Sequence, residues 1–211
     1  MTSTEAIGLA DLEDAVREHV QVTERTVDLL PALLDVGTAL CGAFATGHRL
    51  FAFGNGGSAA DAQHLVAEFI GRFGRDRRPL PAVSLTTDPS VITCIANDFD
   101  FSHVFARQLK ALADPGDVVV AFTTSGRSAN VVAGLAAARK RGAITVLFGA
   151  GDGADAAPHA VHRLLVRSDD IARIQEMHLL LLHLLSEIVD RWAAATETGP
   201  KAATREPPDG T

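Results

Sequence analysis

Cysteine, basic charge and long apolar runs are all scarce in this chain, and each shortage removes a class of protein. Two cysteines, Cys41 and Cys94, are too few for a four-cysteine zinc site. Neither has a CxxC partner and both sit among apolar neighbours, which predicts buried thiols in a reducing compartment. Lysine and arginine number 19 against 26 acidic residues, giving a net charge of −7 with no basic stripe. That balance argues against electrostatic binding to nucleic acid. No apolar run approaches the roughly 18 residues of a membrane-spanning helix. Glu5, Asp11, Glu13 and Asp14 stand where a signal peptide would need basic and then apolar residues. The expectation is a soluble, cytoplasmic protein that contacts neither membrane nor nucleic acid.

Two glycine-loop signatures are also missing. Gly57 is followed by Ser58 and Ala59 rather than by the Lys-Ser/Thr of a P-loop, which argues against a nucleoside-triphosphatase. Gly54-Asn55-Gly56-Gly57-Ser58-Ala59 fits the loose dinucleotide pattern, but the acidic residue expected about 20 positions on is absent, and Asp88 lies too far along.

What is present is concentrated in residues 49–75, RLFAFGNGGSAADAQHLVAEFIGRFGR. A β-prone run leads into a Gly/Ser loop, and Ser58 opens a helical pattern. Loop N–H groups and the helix dipole there favour an anion. His64 and Glu68, four positions apart on that helix, share one face and can aim at one point.

Hydrophobic residues make up 47% of the 211, enough to bury a full core as one domain. Residues 10–46 read as two helices separated near Pro31, the second capped by Gly47. Strands are predicted at 50–53, 82–85, 118–122, 144–148 and 161–166, and helices at 58–73, 89–96, 102–113, 128–141 and 170–195. Apolar strands separated by helices imply an α/β, three-layer fold with a parallel sheet covered on both faces. The chain divides into an N-terminal helical extension (1–48), an α/β domain (49–195) and a proline-containing tail (196–211) expected to be disordered. The last helix is apolar nearly all round, which suggests burial against another subunit, a central helix in a monomer being the alternative.

A second loop, Thr123-Thr124-Ser125-Gly126-Arg127-Ser128, follows the third strand and enters another helix. Its hydroxyls and N–H groups form a further candidate anion site, against the plainer reading of Ser128 as a helix cap. Two such loops together favour a phosphorylated ligand. His178 and His183 prove little separately, since a lone histidine on an apolar helix is more often a hydrogen-bonded core residue. Asn97-Asp98 could hold sugar hydroxyls or form an Asx turn.

Taken together, residues 54–64, Ala96-Asn97-Asp98-Phe99, Thr124-Ser125-Gly126 with Ser128-Ala129-Asn130, and Arg173-Ile174-Gln175-Glu176 closely resemble the phosphoheptose isomerases of the sugar isomerase (SIS) domain superfamily, in order from about residue 10 to residue 192. The resemblance implies a doubly wound, flavodoxin-like sheet and a homotetramer with active sites at subunit interfaces. It implies conversion of sedoheptulose 7-phosphate, a phosphorylated seven-carbon ketose, to D-glycero-D-manno-heptose 7-phosphate. It also implies one bound Zn2+ per subunit, with His64, Glu68, Gln175 and His183 in the ligand positions; such ligands suit other divalent ions too. The positions matching substrate contacts are Asn55, Gly56, Gly57, Ser58, Glu68, Asn97, Asp98, Thr123, Thr124, Ser125, Ser128 and Gln175. Thr123 replaces the usual Ser, Arg127 stands where Asn is common, and Ile171-Ala172 stands where some members carry Thr or Asp. Some relatives in the superfamily are catalytically silent tetramers that bind partner proteins, including a replication-initiator regulator; retention of the four ligand positions favours the enzyme.

Ketose–aldose isomerisation moves a proton from C1 to C2 through an enediolate, and needs a base beside carbon and positive charge beside oxygen. Glu68 and His183 are the candidate acid/base pair. A carboxylate bound tightly to zinc is a poor base, so one of the two must release or share the metal. Gln175 and His183 are eight residues apart, about 12 Å along a straight helix and about 80° around it. The expectation is that His183 works at its extreme reach or is supplied by a neighbouring chain.

Overall fold

A computed structural model describes residues 7–197. Five strands, β1 (Leu50–Gly54), β2 (Ala82–Ser84), β3 (Val118–Phe122), β4 (Ile144–Ala150) and β5 (His162–Val166), form one sheet in the order β2-β1-β3-β4-β5, every pair parallel. Among the described residues, seven α-helices flank it: α1 (Leu9–Thr26), α2 (Leu30–Ala45), α3 (Gly57–Ile70), α4 (Pro89–Asp98), α5 (Val104–Leu112), α6 (Ala129–Lys140) and α7 (Ile171–Glu197).

Strand residues alternate between two cores, as the pleat requires. Leu50, Ala52, Val118, Val120, Phe122, Val146 and Phe148 pack with residues of α2, α3 and α7. Phe51, Phe53, Val119, Ala121 and Leu147 pack on the other face with residues of α4, α5 and α6. Both faces are therefore apolar and covered, which is why these strands read as continuous apolar runs. The expected α/β fold is the observed one. Its strand order reverses between β1 and β3, the switch point at which open parallel sheets bind ligands beyond the strands' carboxyl ends.

Several expectations need correction. α3 ends at Ile70 rather than at 73, since Gly71 caps it with ψ −115 and turns the chain away. α7 runs on through Glu197, whose carboxylate accepts from the Arg78 backbone N–H, so the boundary at 196 falls inside the helix; 198–211 lie outside the described residues. Cys94 is exposed, because α4 turns only Ile95 fully inward, and Cys41 is half-buried, with burial pushing its thiol up to about 11.

The apolar surface of α7 is covered largely by its own chain: Ile174, Met177, Leu181, Leu182, Leu185, Val189 and Ala193 are buried against α2, α3 and the sheet. The uncovered apolar stripe lies elsewhere, on Leu9, Leu12, Val16 and Val20 of α1 and on Val27, Leu30 and Leu34 beyond it. The helical stretch Leu9–Ala45 is long and apolar enough, by length and composition, to cross a membrane, although no unbroken apolar run exists there. A third of that window is buried inside the chain.

Candidate functional site

The two Gly/Ser loops leave the carboxyl ends of β1 and β3, adjacent strands on either side of the switch point. Gly56, the N-cap of α3, has φ 57 and ψ −123, a conformation open essentially to glycine alone. No side chain caps α3. Ser128, the N-cap of α6, likewise makes no capping hydrogen bond, so its hydroxyl is not consumed in the role that was its plainer reading. Within the second loop Thr123 Oγ1 accepts from Gly126 N–H (3.1 Å) and Ser125 Oγ accepts from Arg127 N–H (3.2 Å), leaving both O–H groups able to donate.

Asn55, Ser58, Thr123, Thr124, Ser125, Ser128 and Gln175 line one cavity of about 80 Å³ floored by Phe122. Gln175 reaches it from α7 and presses on the first loop so closely that a Cβ at Gly57 would lie 2.5 Å from its Nε2. Hydroxyls, amides and two helix N-termini converge here without a carboxylate, a suitable lining for a phosphate. In the sequence Asn130 is only the end of the Ser128-Ala129-Asn130 motif. The structure has its side chain exchanging two hydrogen bonds with Asn55, 2.9 and 2.8 Å, which fastens the loops together.

A second cluster lies farther along α3. His64 Nε2 is 2.9 Å from Glu68 Oε1 and 3.4 Å from His183 Nε2, and one ligand atom from each of the three residues falls within 4.8 Å of the others. All three side chains are half-buried and belong to one chain. His183 therefore needs neither extreme reach nor a neighbouring subunit to meet His64, contrary to the expectation from helix spacing. Gln175 and His183 stay apart, as the helix spacing requires: α7 runs beside α3 in the same direction, so Gln175 meets the helix start and His183 its middle.

His178 is excluded from both clusters. It is fully buried beneath Phe122 and Phe148, its Nε2 bonded to the Gly149 carbonyl (3.1 Å), and burial pushes its pKa down to about 4. Five residues separate it from His183, about 140° around the helix. Arg173 and Glu176 also turn away from the cavity. They pair with each other, Arg173 Nη1 donates to the Ala15 carbonyl (2.8 Å), and Glu176 bonds His19 (2.8 Å), so together they dock α1 on α7. The bond from Arg173 holds the Glu176 carboxyl below its usual range. Asn97 and Asp98 stand at the exposed end of α4, bonded to each other (2.8 Å).

Asp61 is a third notable group on α3. It sits one turn before His64; burial raises its pKa to about 6 against the opposing pull of His64, and its Oδ2 is buried without a hydrogen-bond partner. Nothing in the local sequence distinguishes it from a solvated helix residue.

Residues 13–150 match the SIS domain family model. The chain is 44% identical over 179 residues to the phosphoheptose isomerase of Roseiflexus sp. (strain RS-1), covering 84% of this chain and 91% of that protein. Among solved structures it resembles the phosphoheptose isomerase of Neisseria gonorrhoeae (TM-score 0.81, 35% identity, 85% of this chain and 97% of that one). It also resembles a phosphoheptose isomerase from Francisella tularensis (TM-score 0.84, 31% identity, 90% of this chain and 100% of that one). The chain that builds these two clusters on α3 and α7 thus belongs to the SIS-domain family and, within it, to the phosphoheptose isomerases.

Proposed function

We propose that this protein isomerises sedoheptulose 7-phosphate to D-glycero-D-manno-heptose 7-phosphate. The observation that carries the reading is the sharing of α3: its N-terminus opens the hydroxyl-lined cavity, and its later turns present His64 and Glu68 to His183. Seven residues separate Gly57 from His64, about 10 Å of helix. That span is comparable with an extended seven-carbon chain held at its phosphate end.

In this reading Ser58, Thr123, Thr124, Ser125 and Ser128 hold the phosphate, with Asn55, Gly56 and Gly57 placing the loop backbone around it. Asn97, Asp98 and Gln175 serve the sugar hydroxyls. Glu68 and His183 handle the protons: one takes a proton from C1 and returns one to C2, while the other moves a proton between the two oxygens as the enediolate forms and collapses. The half-burial of both limits competing water.

The three clustered ligand atoms fit a divalent cation, since two imidazoles and a carboxylate within 4.8 Å suit bonds of about 2 Å each, and zinc is the ion we assign. Gln175 is its proposed fourth ligand, a role that requires the side chain to leave Gly57 and extend along α3 toward His64. Bound there, the ion would supply polarisation of the substrate carbonyl. A catalytically silent, partner-binding tetramer would have no use for this convergence. The homotetramer itself is supported by the apolar stripe on α1, whose spacing of three and four residues suits packing against the same helix of another copy. A cytoplasmic location suits the free thiol of Cys94.

The test is incubation with sedoheptulose 7-phosphate and identification of the product by NMR, after zinc loading and after chelation. Aldose that disappears on chelation supports the reading. Absence of aldose with the metal-supplemented protein overturns it.

A further inference from the structure

One buried cation touches both helices that carry the reactive cluster. The chain leaving α3 folds back along that helix before entering β2, and places Arg77 with a side-chain exposure of 0%. Its Nη2 donates to the Glu68 carbonyl (2.6 Å), and its Nη1 to the carbonyls of Phe69 (2.8 Å), Gly71 (3.1 Å) and Arg78 (2.9 Å). Its Nε donates to Asp190 Oδ1 (3.2 Å), a carboxylate only 1% exposed.

Three of those carbonyls belong to the last turn and cap of α3, where a helix leaves acceptors without intrahelical partners and carries partial negative charge. One is the carbonyl of Glu68 itself. Asp190 lies seven residues beyond His183 on α7, so the two project from nearly the same face, about 10 Å apart. Asp190 also accepts from the Arg75 backbone N–H (3.0 Å) and from Arg75 Nη1 (3.2 Å). A planar guanidinium bonded this completely fixes orientation as well as charge.

Contacts between α3 and α7 therefore follow the same order along both helices. Gln175 meets Gly57, His183 meets His64, and Asp190 meets the end of α3 through Arg77. The middle contact is the reactive one, and Arg77 closes the frame around it. We infer that Arg77 is a positioning residue: its bonds to the Glu68 carbonyl and to Asp190 set Glu68 and His183 at the separation needed to hold a divalent cation. The inference rests on the metal-site reading above and goes beyond it by naming what preorganises the site.

Arg77→Lys keeps a cation beside Asp190 but loses the fork that reaches several carbonyls at once. The expected result is a folded protein with a lowered melting temperature whose dissociation constant for Zn2+ alone, measured by competition with a chromophoric chelator, rises at least roughly tenfold, in the range of outer-shell substitutions. kcat should fall with it, while KM for the sugar phosphate stays within about twofold, because the phosphate cavity lies at the far end of α3. Leu135→Ala, in the core on the opposite face of the sheet, is the control for general destabilisation and should leave Zn2+ affinity unchanged. If Arg77→Lys lowers the melting temperature but binds Zn2+ as wild type does, or if Leu135→Ala weakens Zn2+ equally, Arg77 is merely structural and the inference falls. Should Arg77→Lys fail to fold, Asp190→Asn is read by the same criteria. A wild-type protein that binds no Zn2+ defeats the metal-site reading itself, and the positioning role with it.

Discussion

Asn55 and Asn130 hold each other through two amide hydrogen bonds, 2.9 and 2.8 Å, across the point where the sheet reverses its strand order. The bonds join loops 75 residues apart, and Asn130 Oδ1 also accepts from its neighbour Val131 N–H (3.0 Å). Asn130→Ala is expected to cost about 1–2 kcal/mol by leaving Asn55 unpartnered. It should also raise KM as the loops separate. Denaturant unfolding and Michaelis kinetics measure both, and an unchanged KM would divorce the amide pair from the cavity.

Ser128 caps nothing, so Ser128→Ala should change stability by no more than about 0.5 kcal/mol. Its effect, like that of Ser125→Ala, should appear in KM, because a phosphate is held alike in ground and transition states. A loss confined to kcat would contradict the uniform-binding role.

Asp61 gives the metal-free protein a pH signature. Its folded pKa of about 6 lies above the ordinary 3.8, so the native state retains a proton that the unfolded chain releases between those values. Stability from this group is complete below about pH 4 and is lost as pH rises through about 6. Asp61→Asn should flatten that slope in unfolding measured across pH 4 to 7; an identical slope in the variant would show that other groups set it.

Because His64, Glu68 and His183 converge within one chain, inactive His64→Ala and His183→Ala subunits should not restore activity when mixed under exchange. Mixed oligomers that regain turnover would show that the cluster is completed between chains instead.

Much of the fold was legible because a parallel sheet buried on both faces leaves unbroken apolar strands, and β3 was read residue for residue. The phosphate loops were legible because glycine and hydroxyl residues at a strand's end have few other reasons to cluster. What stayed hidden depended on distant pairing. Helical period alone placed Gln175 and His183 in tension, and only the parallel course of α3 and α7 shows that they serve different turns of one partner helix. Arg77 and Asp190 are 113 residues apart and each reads locally as an ordinary surface charge. The apolar girth of α7 has the same origin: α2, α3 and the sheet take up most of it, Leu179 and Leu184 stay partly exposed, and the longest uncovered apolar stripe starts on α1. Phe73, assigned to the helix, lies beyond it with its ring 5.8 Å from that of His183.

The central claim is that the α3–α7 cluster transfers protons on a seven-carbon ketose phosphate, and the most direct measurement is turnover of sedoheptulose 7-phosphate by zinc-supplemented wild type and Glu68→Gln in parallel. The substitution keeps the side chain's shape while removing its charge and basicity. The account expects aldose from the wild type and a rate lower by roughly 10²–10⁴-fold in the variant, at unchanged fold and oligomeric state. No aldose from the wild type, or a near-wild-type rate in Glu68→Gln, would contradict it.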